Sequence, residues 1–188
     1  RVITGRSIIC FGGEDWWYHH PHSKKHLMRR FARAGNKVIF VNSISMGLPS
    51  ITNKDILPKI GRKLKSYSKL ARTTDEGITV VSPATVPFFG SAATRKVNQK
   101  LLQAQIGALA RKKEMSKPIL WIAIPTAAEM IGKLNESLVV YQVSDKYDAN
   151  PEDHAVDPRV IRTLHQHAIE NADIIFYCGQ SIGCIIHD

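Results

Sequence analysis

Apolar residues fall in short unbroken runs along this chain, each closed by turn-forming residues. Ser7 to Phe11 ends at Gly12 and Gly13, and Lys37 to Val41 ends at Asn42 and Ser43. Ile78 to Val81 ends at Ser82 and Pro83, and Ile119 to Ile124 ends at Pro125. Leu138 to Val143 ends at Ser144 and Asp145, and Asp173 to Cys178 ends at Gly179. Runs this continuous, rich in β-branched residues, predict strands buried on both faces.

Helical spacing fills the gaps. Ser23 is placed to cap a helix from Lys24 to Ala34, with Leu27, Phe31 and Ala34 on one face and Gly35 as its stop. Asn98 to Glu114 sets Leu101, Leu102, Gln105, Ile106 and Leu109 at helical intervals. Asp157 followed by Pro158 is a cap with proline at the first helical position. That helix is expected to reach Asn171 and to bury Val160, Ile161, Leu164 and Ala168.

Strand and helix in alternation imply a parallel sheet with right-handed crossovers. The expected fold is α/β: a doubly wound, mostly parallel Rossmann-like sheet with helices on both faces. One domain is expected over residues 1–179, with 180–188 a short tail. The stretch from Ser43 to Asp75 is read as a long irregular loop, with room for a short basic helix. It carries Lys54, Lys59, Arg62, Lys63, Lys65, Lys69 and Arg72.

Composition narrows the partners. The 188 residues hold 26 Lys+Arg against 16 Asp+Glu, a formal charge of +10. Such a surface favours anions: acidic lipid headgroups, phosphorylated substrates or nucleic acid. No nucleic-acid motif accompanies the charge, so no nucleic-acid partner is expected. The helix from Lys24 to Arg33 has an apolar and a cationic face. The cationic face is read as solvated or, with the Lys54 to Arg72 stretch, as resting on anionic lipid. Three cysteines without regular spacing, Cys10, Cys178 and Cys184, form neither a disulfide framework nor a zinc pattern. Cys10 and Cys178 read as small buried hydrophobes. A reducing, cytoplasmic setting is expected, with no membrane-spanning run and no signal peptide. A chain opening on Arg1 is expected of a fragment or a processed product.

Ligands of open parallel sheets bind beyond the carboxyl ends of the strands. Candidate chemistry therefore gathers in the residues that follow each run: Gly12, Gly13, Glu14, Asp15, Asn42, Ser43, Ser82, Pro125, Thr126, Ser144, Asp145 and Gly179. The first loop, residues 12–22, is the richest. Its paired glycines allow close backbone approach, and the helix start near Ser23 offers N–H groups to an anion. A third glycine at dinucleotide spacing is missing, which argues against a nicotinamide dehydrogenase. Trp16, Trp17 and Tyr18 either form a stacking platform for a sugar or base or wedge the loop onto the domain. Asp15 could bind sugar hydroxyls or orient a histidine. His19, His20, His22 and His26 are candidates for acid–base or hydrogen-bonding work, and no metal is expected on them. His154, His165 and His167 are read as surface or helix-packing residues.

The order of these pieces resembles the N-terminal domain of GT-B glycosyltransferases, especially the retaining family typified by bacterial cell-envelope polysaccharide enzymes. The resemblance is carried by Ile8 to Gly13, Asp15-Trp16, and the helix ending Arg33-Ala34-Gly35-Asn36 before Lys37 to Val41. Further on, Val140 to Asp145 is similar to a strand ending Tyr-x-x-x-Asp, and Ala172 to Phe176 to a strand opening Ala-Asp. The segment after Gly179 departs from the family's Ser-x-x-Leu. The tail 180–188 is thus expected to be truncated or altered ahead of a second domain.

This resemblance implies the acceptor-binding half of a nucleotide-sugar-dependent glycosyltransferase acting in glycan or cell-envelope polysaccharide synthesis. Its partners would be a sugar or lipid-linked glycan acceptor, a separate C-terminal donor-binding domain, and an anionic membrane surface at the inner face. The domain alone would hold no cofactor; a nucleotide-diphosphate sugar is the donor substrate. Gly12 and Gly13 inherit a place near the donor diphosphate. His20 and Asp145 become the catalytic candidates, and Asp15, Trp16, His19, His22 and Ser43 substrate-binding ones. Transfer is not expected of this piece alone. Two alternatives stay open: a non-catalytic Rossmann-like module for an anionic ligand or partner, and a metal-dependent hydrolase using the histidine-rich loop.

Overall fold

The computed structural model describes residues 3–17, 23–42, 71–86, 91–143 and 157–177. They form a mixed α/β domain around one seven-stranded sheet. In chain order the elements are β1 (Ser7–Phe11), α1 (Ser23–Arg33), β2 (Lys37–Val41), β3 (Ala71–Thr73) and β4 (Thr79–Val81). Then come α2 (Ala92–Lys112), β5 (Ile119–Ile122), a 3-10 turn (Pro125–Met130), β6 (Leu138–Val143), α3 (Pro158–Asn171) and β7 (Ile174–Tyr177). The sheet runs β3-β4-β2-β1-β5-β6-β7. Every pairing is parallel except β3 with β4. Counting parallel strands alone, the order is third, second, first, fourth, fifth, sixth, so direction of travel reverses between β1 and β5.

The central strands are buried as their runs predict. From Ile8 to Phe11, Val38 to Val41 and Ile119 to Ile122, every residue is buried. Alternate residues divide between two clusters, as a pleated sheet requires. Ile9, Phe11, Ile39, Val41, Leu120 and Ile122 join Leu102 and Ile106 of α2 and Ile161 and Ala168 of α3. Ile8, Cys10, Val38, Phe40 and Trp121 join Met28 and Phe31 of α1. Burial pushes the Cys10 thiol far above its ordinary value, leaving it a small core hydrophobe.

Several boundaries differ from the sequence expectation. Helix α2 starts six residues earlier than Asn98, because Ser91 caps it by accepting from Thr94 N at 3.1 Å. Its first turns lack an apolar stripe, and Val97 is exposed. Instead two amides one heptad apart pin the segment leaving β4. Asn98 exchanges hydrogen bonds with the Val86 backbone at 2.7 and 3.0 Å. Gln105 does the same with Ala84, at 2.9 Å in both directions. The buried residues of α1 are Lys25, Met28 and Phe31; of the expected face, Phe31 is among them, Leu27 packs half-buried against the same cluster, and Ala34 lies past the helix end. Its cationic face is therefore partly turned inward.

Helix α3 follows its Asp157 cap as expected, with the cap accepting from Arg159 N at 2.9 Å. Of the two readings for His165, packing is the observed one: it is buried and shares a 2.6 Å hydrogen bond with the Tyr141 hydroxyl. The supposed loop before Asp75 contains β3, whose three residues are all exposed. A turn returns it to β4, with Gly77 N donating to Thr74 O at 2.9 Å and Gly77 in the left-handed region at φ 83°. Strand β7 is not buried on both faces: Ile174 and Phe176 are exposed, with Phe176 stacked on Trp121 at 5.6 Å.

Candidate functional site

In open sheets of this strand order ligands bind beyond the carboxyl ends where the direction reverses, which here falls between β1 and β5. Residues 12–17 follow β1 there, and Ala123 to Thr126 follow β5. Hydrogen bonds carry the sheet one residue past the strands. Gly12 N donates to Val41 O at 3.2 Å, Ala123 N to Phe11 O at 3.0 Å, and Asn42 N to Val81 O at 2.8 Å. The rim is thus rigidly joined to the core.

Both glycines are demanded by packing. A Cβ on Gly12 would overlap the Phe40 ring, and one on Gly13 would overlap Cγ2 of Ile124. Gly13 also lies in the left-handed region at φ 71°. Their N–H groups differ. That of Gly12 is spent on Val41, so this residue cannot offer it to an anion. That of Gly13 has no acceptor among the described residues.

Beyond the glycines the loop is tied down from three sides. Trp16 N donates to Asn42 Oδ1 at 3.0 Å, and Asn42 Nδ2 donates to Ser82 Oγ at 2.9 Å. Asn42, buried at the end of β2, so joins the exits of β1, β2 and β4. Asp15 Oδ1 accepts from Trp17 N at 2.8 Å, and Asp15 Oδ2 lies 3.4 Å from Asn42 Nδ2. From α1, Lys25 Nζ donates to Asp15 O at 3.0 Å. Lys25 and Glu14 are both buried.

Trp16 is a wedge rather than a platform. It is 6% exposed, edge-on to Phe40 at 4.8 Å, with the Arg29 guanidinium 5.3 Å above its ring. Arg29 is held in turn by Glu76 at 3.3 Å. Trp17, by contrast, is exposed, with Arg72 6.0 Å from its ring centre. From β5, Trp121 Nε1 donates to Gln142 Oε1 at 3.0 Å, and Gln142 Nε2 reaches Ser23 Oγ at 3.4 Å. The start of α1 is thereby fastened to β5 and β6.

Of the sequence candidates, Gly12, Gly13, Asp15 and Trp16 are brought together in this loop. His19, His20, His22, Ser43 and Asp145 lie outside the described residues, as does Tyr18. Among the described residues no group of three or more His, Cys, Asp or Glu could hold a metal ion. Two concavities lie elsewhere. One, of about 820 Å³, is bordered by Glu129, Lys133, Arg162 and His167 between α2, the 3-10 turn and α3. The other, of about 590 Å³, sits among Arg6, Lys37 and Ser137 near the amino ends of β1 and β2. Neither touches the strand exits where this sheet type places its chemistry. Sequence reasoning missed the burial of Lys25, although Lys25, Met28 and Phe31 stand three residues apart on one helical stripe. Among protein families and curated proteins, none matches the chain.

Proposed function

We propose that this domain is a doubly wound Rossmann-like unit serving as the acceptor-binding half of a nucleotide-sugar-dependent glycosyltransferase. Its ligand crevice lies between the exits of β1 and β5. The observation that carries this is the Gly13 N–H, uncommitted among the described residues and held at the switch point of the sheet. A fixed N–H there suits an anionic or hydroxylated ligand, and such pre-set donors stabilise developing diphosphate charge without reorganising. Basic residues of a separate donor-binding domain would complete that work. The exposed Trp17 ring offers an apolar face to a sugar. In this scheme His20 and Asp145 act on the acceptor, with His19, His22, Asp15 and Ser43 around it.

Two measurements test the proposal. In a titration with a panel of nucleotide sugars and oligosaccharide acceptors, the Gly13 amide resonance is expected to move with those of Ala123 and Ile124. Shifts confined to the groove beside Arg162, or none, would remove the crevice from consideration.

The membrane partner rests on surface charge. Among the described residues no helix is long and apolar enough to cross a membrane. Arg30 and Arg33 at the end of α1 are exposed, and Arg33 lies 3.5 Å from Glu76. Binding to vesicles containing anionic lipid is expected, weakening as salt rises because surface charges are screened. Equal binding to neutral vesicles would discard the membrane partner and leave the crevice untouched.

A further inference from the structure

Lys25 is an expensive residue where it stands. It is 1% exposed, in the first turn of α1 and on the stripe that packs Met28 and Phe31 into the core. Removing an ammonium from water is costly, and a methionine would fill similar space without that cost. Its charge faces Glu14 and Asp15 of the loop, and Lys24 and Arg29 of its own helix, among the described residues. Its ammonium donates to a loop carbonyl, Asp15 O, at 3.0 Å. We infer that Lys25 is the positioning residue of the first loop: its buried ammonium, bonded to Asp15 O and attracted by Glu14, fixes the backbone that presents the Gly13 N–H. What the loop meets rests on the function proposed above; the clamp itself does not.

The sign of its pH dependence separates positioning from mere stability. Burial pushes Lys25 below its ordinary value of 10.5; Glu14 and Asp15 oppose that, and Arg29 and Lys24 reinforce it. The folded chain therefore releases this proton before the unfolded chain does. Through this group, global stability rises as pH climbs from the folded value towards the ordinary one. The clamp behaves oppositely: the neutral amine loses its attraction to Glu14 and its charge-assisted bond to Asp15. Loop order is expected to fall over a window in which this group makes the whole fold more stable.

Amide exchange, corrected for its intrinsic pH dependence, reads both. In the wild type, protection of the Trp16 and Trp17 amides, which donate to Asn42 Oδ1 and Asp15 Oδ1, is expected to drop about tenfold or more across one titration step below the ordinary lysine value, the size of a lost charge-assisted bond. Ile9, Ile39 and Leu120 are expected to keep theirs. Lys25→Met should show the low loop protection already at neutral pH, with no step. It removes a cation that faces Glu14, so Glu14→Gln/Lys25→Met is the second variant, expected to regain thermal stability but not loop protection. Wild-type loop protection in either variant would overturn the inference, as would loop and strand amides falling together in the wild type. None of this requires a ligand, so a failed nucleotide-sugar titration is a separate result.

Discussion

Gly13→Ala is expected to destabilise the domain by roughly 2–5 kcal/mol, from a left-handed penalty of about 1–2 and an overpacking cost of about 1–3. The first part follows from φ 71° at this residue. The second follows from Ile124, whose Cγ2 occupies the place of the new methyl. The two parts can be separated. Ile124→Ala removes the obstructing methyl, so the double variant should recover part of the loss, with a coupling of about 0.5–3 kcal/mol. Chemical denaturation of the four proteins measures this. Strict additivity would mean that the loop swings away from Ile124 and that β1 and β5 do not fix the crevice together. Because the Gly13 N–H moves with its backbone, ligand binding should be lost even in the stability-rescued double variant.

Trp16→Ala is expected to cost about 3–5 kcal/mol, as for other buried aromatic side chains truncated to alanine. Its ring closes the cluster that contains Phe40, Met28 and Phe31, and it carries the Arg29 guanidinium. Trp17→Ala, one residue on and exposed, should change stability by no more than about 0.5 kcal/mol. The proposed function expects it to weaken sugar binding instead. Thermal unfolding and glycan titration of the two variants should thus give opposite patterns. A mild Trp16→Ala would show that the loop is not wedged into the core.

Strands were legible wherever hydrophobic burial alone decides structure. Leu138–Val143 matches its apolar run end to end, and the runs of β1 and β2 likewise stop at Gly12 and Asn42. Their shared carboxyl rim followed from the same pattern, since alternating strands and helices leave few topologies. What was not legible is held by polar contacts between distant residues. The start of α2 depends on Ser91 and on Asn98 meeting Val86, neither of which leaves an apolar period. Strand β3 is exposed throughout, so no hydrophobic pattern marks it. For His165 the sequence left surface and helix packing open, because its partner, the Tyr141 hydroxyl, comes from a strand 24 residues earlier.

At the site, residue type misled most. Two neighbouring tryptophans divide between core and solvent according to which one reaches Phe40. A lysine in a basic helix reads as solvated until its spacing from Met28 is weighed against its charge. The paired glycines were identified from sequence as a place of close approach. What approaches them inside the fold is Phe40 and Ile124. Of the two glycine N–H groups, that of Gly13 is the one left over for a ligand among the described residues.

The proposed function is transfer of a sugar between the exits of β1 and β5. Its most direct test incubates this domain, joined to the donor-binding domain that the proposal calls for, with a panel of nucleotide sugars and with free or lipid-linked glycans. Mass spectrometry then follows both products. The expected result is an acceptor heavier by one sugar residue, an equal amount of nucleoside diphosphate, and loss of both in the Gly13→Ala/Ile124→Ala variant. If no nucleotide sugar is consumed, or if the variant transfers as well as the wild type, the glycosyltransferase account of this crevice is wrong.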